Sequence, residues 1–200
     1  MMEEIYQSYK TIIEMVEDRK YIIPNEYKEI DLNTFKYLYN TDNGLDIFIK
    51  EHSSEQKKLY IKFTYENYKP SSIKKFITDV CTKYLNNKND KLLLILNDKP
   101  NNAILKISKE SMYNMVDIFW TDILQFNITK HKFVPKHELL SNNELKFIMT
   151  KYKIINLLQF PIILKSDPVI RYYDFPSGSV CKITRPSVTT YEHIYYRYIK

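Results

Sequence analysis

Glycine is nearly missing from this 200-residue chain, which has only Gly44 and Gly178. That scarcity excludes the usual glycine-rich phosphate cradles, G-x-x-x-x-G-K-[ST] and G-x-G-x-x-G, and no G-x-S-x-G nucleophile elbow occurs either. Nucleotide hydrolysis is not expected. Cysteine is equally rare: Cys81 and Cys181 stand a hundred residues apart, with no third or fourth cysteine nearby, so neither a disulfide framework nor a zinc site is indicated. The pair suits a reducing compartment. The four histidines, His52, His131, His137 and His193, are too scattered to be zinc ligands; His131 and His137, around Pro135, read as surface or boundary residues. No apolar run approaches the roughly 18 residues needed to span a bilayer, and the leading MMEEIYQSYK has neither the basic nor the apolar region of a signal peptide. The expectation is a soluble, intracellular protein that does not engage a membrane.

What is present is enough for a substantial core. Hydrophobic residues make up 44% of the chain, which suits one large domain or two small ones and argues against disorder. Abundant Asn, Lys, Ile and Tyr beside scarce glycine is the bias of an AT-rich coding genome, so the lysine and tyrosine counts carry little functional weight. The net charge of +6 favours a polyanionic neighbour without identifying one. It is unevenly placed: residues 1–137 carry 21 Lys/Arg against 19 Asp/Glu, whereas residues 138–200 carry 9 against 5.

Apolar spacing gives the elements. Ile5, Tyr9, Ile12, Ile13 and Val16 mark a helix between Glu3 and Arg19, and Leu32, Phe35, Leu38 and Tyr39 a second, before a turn at Asn43-Gly44. The period then falls to two over Leu45–Lys50 and Leu59–Tyr65, two strands joined through the hydrophilic stretch 52–57. Pro70-Ser71-Ser72 opens a helix along Ile73, Phe76, Ile77, Val80 and Tyr84, stopped by residues 86–90. Leu92–Leu96 has no alternation and reads as a strand buried on both faces, parallel to Leu59–Tyr65. A short helix to Ser111 and strands at Met115–Trp120 and Leu124–Lys130 follow. Ser141 and Glu144 form a capping box ahead of a helix along Leu145, Ile148, Met149 and Tyr152. The expected class is α/β in the first part and α+β overall, with domains at 1–130 and 138–200 and a boundary segment at 131–137.

The densest stretch is Lys165–Ser187. Asp167-Pro168 reads as an N-cap and first helical residue, because aspartate accepts an orphan N–H and proline has none to lose. A helix to Tyr173, a turn at Ser177-Gly178 and a strand over Val180–Arg185, ended by Pro186, complete it. Ile194–Ile199 supplies the last strand. Arg171, Lys182, Arg185 and Arg197 lie among few acids, which permits either phosphate binding or an acidic protein partner. The tyrosines Tyr191, Tyr195, Tyr196 and Tyr198 suit base stacking or simple cover for a sheet.

One catalytic pattern merits testing: an aspartate with an acid-x-lysine pair on neighbouring strands, the cation site of restriction-endonuclease-like enzymes. Asp46 and Lys62 fit, but Tyr60 stands where the second carboxylate belongs, and a phenol is a poor ligand for a hard cation. Asp46 is then expected to face solvent, and no metal or other cofactor is expected. The loop Lys99-Pro100-Asn101-Asn102 follows a buried strand, where α/β sheets put ligand-contacting residues, although an ordinary exposed turn fits as well.

The segments Asp167-Pro168-Val169-Ile170-Arg171-Tyr172 and Gly178-Ser179-Val180-Cys181-Lys182-Ile183-Thr184-Arg185-Pro186-Ser187 closely resemble the fifth subunit shared by the eukaryotic nuclear RNA polymerases and its archaeal counterpart, whose pattern is D-P-V-A-R-Y, then G-Q-V-V-K-I-I-R-P-S. Asn127-Ile128-Thr129-Lys130-His131 and Val134-Pro135-Lys136-His137 are similar to its N-I-T-x-H-x-x-V-P-x-H. The resemblance spans nearly the whole chain. It implies a restriction-endonuclease-like jaw domain without catalysis, beside downstream DNA, and an assembly domain docked on the largest polymerase subunit among neighbouring small subunits. Catalytic residues, small-molecule substrate and cofactor would all be absent. Asp167, Pro168, Arg171, Tyr172, Lys182, Arg185 and Pro186 would form the assembly signature, and Lys99, Pro100, Asn101 and Asn102 the DNA-proximal loop. The family's basic residue before the glycine is Ser177 here, and the glycine after its aromatic pair gives way to Asp174-Phe175. Looser agreement in the jaw points to a large DNA virus, with a divergent eukaryotic member as the alternative, hence virion and host cytoplasm, or nucleus. The competing expectations are a metal-dependent nuclease and a free-standing nucleic-acid-binding module.

Overall fold

The computed structural model describes residues 2–41, 44–50, 58–64, 70–85, 90–107, 116–187 and 191–200. The chain divides into two compact units, Met1–Phe126 and Asn127–Lys200. Residues 131–137, expected as a boundary, fall inside the second unit because Lys136–Leu139 is already a strand of its sheet. Asn43, residues 52–57, the stop at residues 86–89, the helix end at residues 108–111 and Met115 lie outside the described residues.

The first unit opens with α1, Met2–Asp18, whose expected stripe of Ile5, Tyr9, Ile12, Ile13 and Val16 is buried throughout. A short α2, Asn25–Lys28, and α3, Leu32–Tyr39, follow, the latter capped by Asp31, which accepts from the Thr34 and Asn33 N–H groups. Strands β1 (Ile47–Lys50), β2 (Lys58–Thr64), β3 (Lys91–Leu96) and β4 (Val116–Trp120) lie in that order in one sheet. β1 is antiparallel to β2, and the other pairs are parallel. Helix α4, Pro70–Tyr84, makes the crossover that a parallel β2–β3 pair requires. It lays Ile73, Ile77 and Val80 over Tyr60, Leu92, Leu94 and Leu96. On the alternate residues, the Tyr9 ring of α1 packs 5.9 Å from that of Phe63. With both faces covered, β3 buries all five residues from Leu92 to Leu96, which is why it shows no alternation. Helix α5, Asn102–Ile107, comes between β3 and β4.

One strand expected from the sequence is not there. Leu124, Phe126 and Ile128 mimic a period of two, but Thr121–Leu124 and Ile128–Lys130 are 3-10 turns. Side chains compete for the backbone: Gln125 Nε2 donates to the Thr121 carbonyl, and Asn127 Oδ1 accepts the Thr129 N–H.

The second unit has β5 (Lys136–Leu139), α6 (Asn142–Lys151), β6 (Ile162–Ile163), α7 (Pro168–Tyr173), β7 (Val180–Ser187) and β8 (Tyr191–Ile199). Its sheet runs β5-β7-β8-β6, with β5 and β8 antiparallel to β7 and β6 parallel to β8. Both faces are apolar toward one end. Cys181, Ile183 and Ile199 pack with Ile163 and Ile170 on one side, while Val180, Tyr196 and Tyr198 pack with Ile148 and Phe160 on the other. The capping box of Ser141 and Glu144 forms as expected.

Candidate functional site

The signature stretch is built as the sequence anticipates. Asp167 Oδ1 accepts the N–H groups of Val169 and Ile170 at 2.9 and 3.3 Å, and Pro168 takes the first helical position of α7. The helix ends at Asp174, which adopts the left-handed conformation at φ 52°. A glycine would suit that position, and Lys165 offsets its absence: its Nζ donates to Asp174 Oδ1 at 2.8 Å and to the Phe175 carbonyl at 2.7 Å. The Tyr173 and Phe175 rings stack at 5.1 Å across the same turn. Gly178 then sits at φ 88° with open space around its Cα, so conformation rather than room requires glycine there.

Tyr172 is buried, and its hydroxyl accepts a hydrogen bond from Asn127 Nδ2 at 2.8 Å. Asn127 Oδ1 in turn receives the Thr129 hydroxyl at 2.6 Å, so the N-I-T segment and α7 are locked to each other. Neither Asn127 nor Lys165 was identifiable as a key residue from spacing; each meets a partner brought near only by the fold.

The signature residues therefore separate. Asp167, Pro168 and Tyr172 shape α7 and its seat. Lys182 is half-buried, with its Nζ 3.6 Å from Glu138, which also bonds Lys136 at 2.7 Å. That Lys136 hydrogen bond, with burial opposing it, holds the Glu138 carboxyl below its ordinary pKa. Arg171 is half-buried, whereas Arg185 and Pro186 are exposed. Burial raises the Cys181 thiol pKa to about 11, which keeps it protonated and unreactive.

Pro186 does not end its strand. β7 continues to Ser187, with Pro186 opposite Glu192. The register explains this: the Leu140 N–H donates to the Val180 carbonyl, so the even-numbered residues of β7 present their backbone to the β5 side. β5 pairs only as far as Thr184, and proline lacks its N–H at an unpaired edge, where none is needed. Beside it, Val134, Pro135, Lys136, Thr184, Pro186, Tyr191 and Glu192 line a cavity of about 460 Å³, so the two signature segments meet. His137, read as a surface or boundary residue, is buried at 8% exposure, opposite Ile183 in the β5–β7 register, and its Nδ1 donates to the Pro135 carbonyl at 2.7 Å.

In the first unit, Asp46, Tyr60 and Lys62 do come together. Asp46 is not solvent-facing: its side chain is 9% exposed, and Oδ2 accepts from Lys62 Nζ at 2.8 Å and from the Tyr60 hydroxyl. It sits one residue before β1, opposite Lys62 in the β1–β2 register, so the trio staples that strand pair. Burial and the Asp46 carboxylate both raise the Tyr60 pKa far above the ordinary phenol value, keeping it a neutral donor. The phenol stands where a second carboxylate would be needed, and among the described residues no cluster of three His, Cys, Asp or Glu is arranged to hold a metal. In the Lys99–Asn102 loop, Pro100 is buried, Asn101 Oδ1 caps α5 by accepting the Ile104 N–H at 2.9 Å, and Lys99 and Asn102 are exposed.

Comparison with known proteins agrees with this two-part organisation. The family profile of the RNA polymerase Rpb5 N-terminal domain matches residues 1–80, and that of the Rpb5 C-terminal domain matches residues 126–199. A subunit named rpabc1 of DNA-directed RNA polymerases I, II and III from Dictyostelium discoideum is 30% identical, over 98% of this chain and 97% of its own length. Subunit 5B of DNA-directed RNA polymerases IV and V from Arabidopsis thaliana is 28% identical, over 96% and 88%. RPABC1 of Caenorhabditis elegans is 27% identical, over 98% and 95%.

Proposed function

Because the chain belongs to the RNA polymerase Rpb5 family, we infer that it acts as a structural subunit of a multisubunit DNA-directed RNA polymerase and performs no chemistry itself. The observation that carries this reading is the likeness along nearly the entire chain, including both signature segments, combined with an Asp46–Tyr60–Lys62 cluster whose groups satisfy one another. In this reading the first unit is the jaw, the second the assembly domain, and phosphodiester synthesis belongs to the large subunits.

The assembly domain docks on the largest subunit, with other small subunits nearby. Charge supports the assignment: residues 127–200 carry 12 Lys/Arg against 5 Asp/Glu, a net of +7, and residues 1–126 carry 18 against 19, a net of −1. The basic unit suits an acidic protein surface. Within the signature, Asp167, Pro168 and Tyr172 serve the fold, leaving Arg185 and Pro186 as the exposed contacts, with Arg171 and Lys182 at the margin. Lys99 and Asn102 would approach downstream DNA, the buried Pro100 and capping Asn101 setting their loop. The protein would work in the nucleus if cellular, and in the virion and host cytoplasm if viral.

Affinity purification of the tagged full chain from transcribing cells or virions tests this. Large polymerase subunits should co-purify, and recovery of the chain alone would sink the assignment. Arg185→Glu should weaken incorporation while leaving the fold intact, and Lys99→Glu should reduce elongation without blocking assembly. Magnesium-dependent DNA cleavage by the purified chain, abolished by Asp46→Ala, would instead favour a nuclease. Tight, salt-sensitive DNA binding by the isolated chain would favour a free-standing nucleic-acid module.

A further inference from the structure

Beyond Thr184 on β7 and below Tyr198 on β8, the second unit's sheet narrows to a two-stranded ribbon. β5 pairs no further than Thr184, and β6 pairs only Tyr198 and Ile199. Arg185, Pro186 and Tyr191 to Ile194 are all exposed. A two-stranded ribbon on its own is marginally stable in water, and its open edges invite pairing with another chain.

The two edges are not alike. On β7 the even-numbered residues point their backbone outward, and Pro186 removes the donor at that edge. On β8 the Tyr198 N–H donates to the Pro161 carbonyl, and the Ile199 N–H donates to that of Ser179 on the opposite side. Alternation then directs the N–H and C=O of Ile194 and Tyr196 outward, along the lane that β6 vacates. No proline, bulge or lysine blunts that lane. One edge is closed and the other is left able to pair.

The geometry points to the β8 edge, Ile194 to Tyr196, as a docking lane that receives an extended segment of a neighbouring polymerase subunit as an added strand. This rests on the assignment of the chain to the polymerase. The bordering side chains specify the occupant's chemistry. Ile194 and Tyr196 share one face of β8, and His193, Tyr195 and Arg197 the other. Arg197 lies 5.8 Å from the Tyr195 ring and His193 flanks it on the other side. An added strand would place apolar residues beside Ile194 and Tyr196 and acidic ones beside His193 and Arg197. The unit's net charge of +7 favours such an acidic–apolar alternation.

The test uses the full chain in the assembled polymerase. Ile194→Pro removes an N–H that faces solvent in the free protein, where an edge tolerates proline, but which a docked strand needs; Ile194→Val is the control. Co-purification of the large subunits should fall at least about tenfold for Ile194→Pro and stay unchanged for Ile194→Val, a tenfold change corresponding to one lost charge-free contact of about 1.4 kcal/mol. In parallel, hydrogen exchange should slow at the Ile194 and Tyr196 amides of the wild-type chain when it is in the polymerase. That measurement needs no substitution and so is independent of any misfolding by the proline variant. Wild-type co-purification with no slowing at those amides overturns the docking lane while leaving the polymerase assignment standing. Failure of the wild-type chain to co-purify overturns the assignment itself. A dimer of the free chain that Ile194→Pro converts to monomer would give the lane to a second copy and overturn the inference.

Discussion

Replacing Asp174 separates backbone strain from side-chain contact at the turn on which the signature depends. Asp174 lies at φ 52°, where a Cβ costs roughly 1–2 kcal/mol, less for aspartate than for alanine. Its ion pair with Lys165 is 2.8 Å long, but the Lys165 side chain is 38% exposed, so solvent screening limits the pair to about 0.5–1 kcal/mol. Asp174→Ala loses the pair and places alanine in the left-handed region, a total cost of about 1.5–2 kcal/mol. Asp174→Gly loses the same pair but relieves the strain, against a more flexible unfolded chain, and should lie within about 0.5 kcal/mol of the parent. The two variants should then differ by about 1–1.5 kcal/mol, a five- to twelvefold ratio in opening equilibrium. Hydrogen exchange at β7 and β8 amides of the full chain reads the second unit directly. If alanine protects those amides as well as glycine does, the turn does not draw its cost from the left-handed backbone and the reasoning fails.

Three further outcomes are expected. Tyr172→Phe removes the hydroxyl that accepts from the buried Asn127 amide and should destabilise the second unit by about 1–2 kcal/mol, seen as faster exchange in α7; an unchanged rate would mean that this hydrogen bond does not hold α7 in place. Asp46→Asn removes the carboxylate that pairs with the largely buried Lys62 ammonium and accepts the Tyr60 hydroxyl, and should lower stability by about 1–3 kcal/mol in urea denaturation, part of it recovered by adding Lys62→Met. At pH 8, iodoacetamide should label Cys81 well before Cys181, because burial both shields the latter and raises its pKa to about 11; equal rates by mass spectrometry would contradict its placement in the core.

Local chemistry was legible wherever neighbours in sequence settle it. The Asp167-Pro168 cap, the Ser141–Glu144 box and the unalternating β3 each follow from residues within a few positions, and each stands in the structure. The failures share a cause. Whether Leu124–Lys130 pairs as a strand depends on side chains that capture its backbone first, and whether Asp46 meets water depends on a strand pairing that sets it opposite Lys62. Pro186 reads as a terminator only until one knows that its nitrogen faces an edge with no neighbour. His137 reads as a surface or boundary residue until strand pairing sets it opposite Ile183. The resemblance located the signature; the division of its residues between fold and surface needed their partners.

The strand order of the second unit also governs when it can fold. Its sheet runs β5-β7-β8-β6, so β8, an inner strand, is translated after every other strand of that sheet. Before residues 191–199 leave the ribosome, β6 has no neighbour, β7 has β5 alone, and Ile163, Cys181 and Ile183 lack the face that Ile199 completes. The first unit holds its four described strands by Trp120 and can close while the remainder is still being synthesised. A ribosome stalled after the first unit has emerged and before β8 has followed would thus carry a finished first unit and an adhesive, half-built second one, the state in which a chaperone or a waiting polymerase subunit has most to gain by binding.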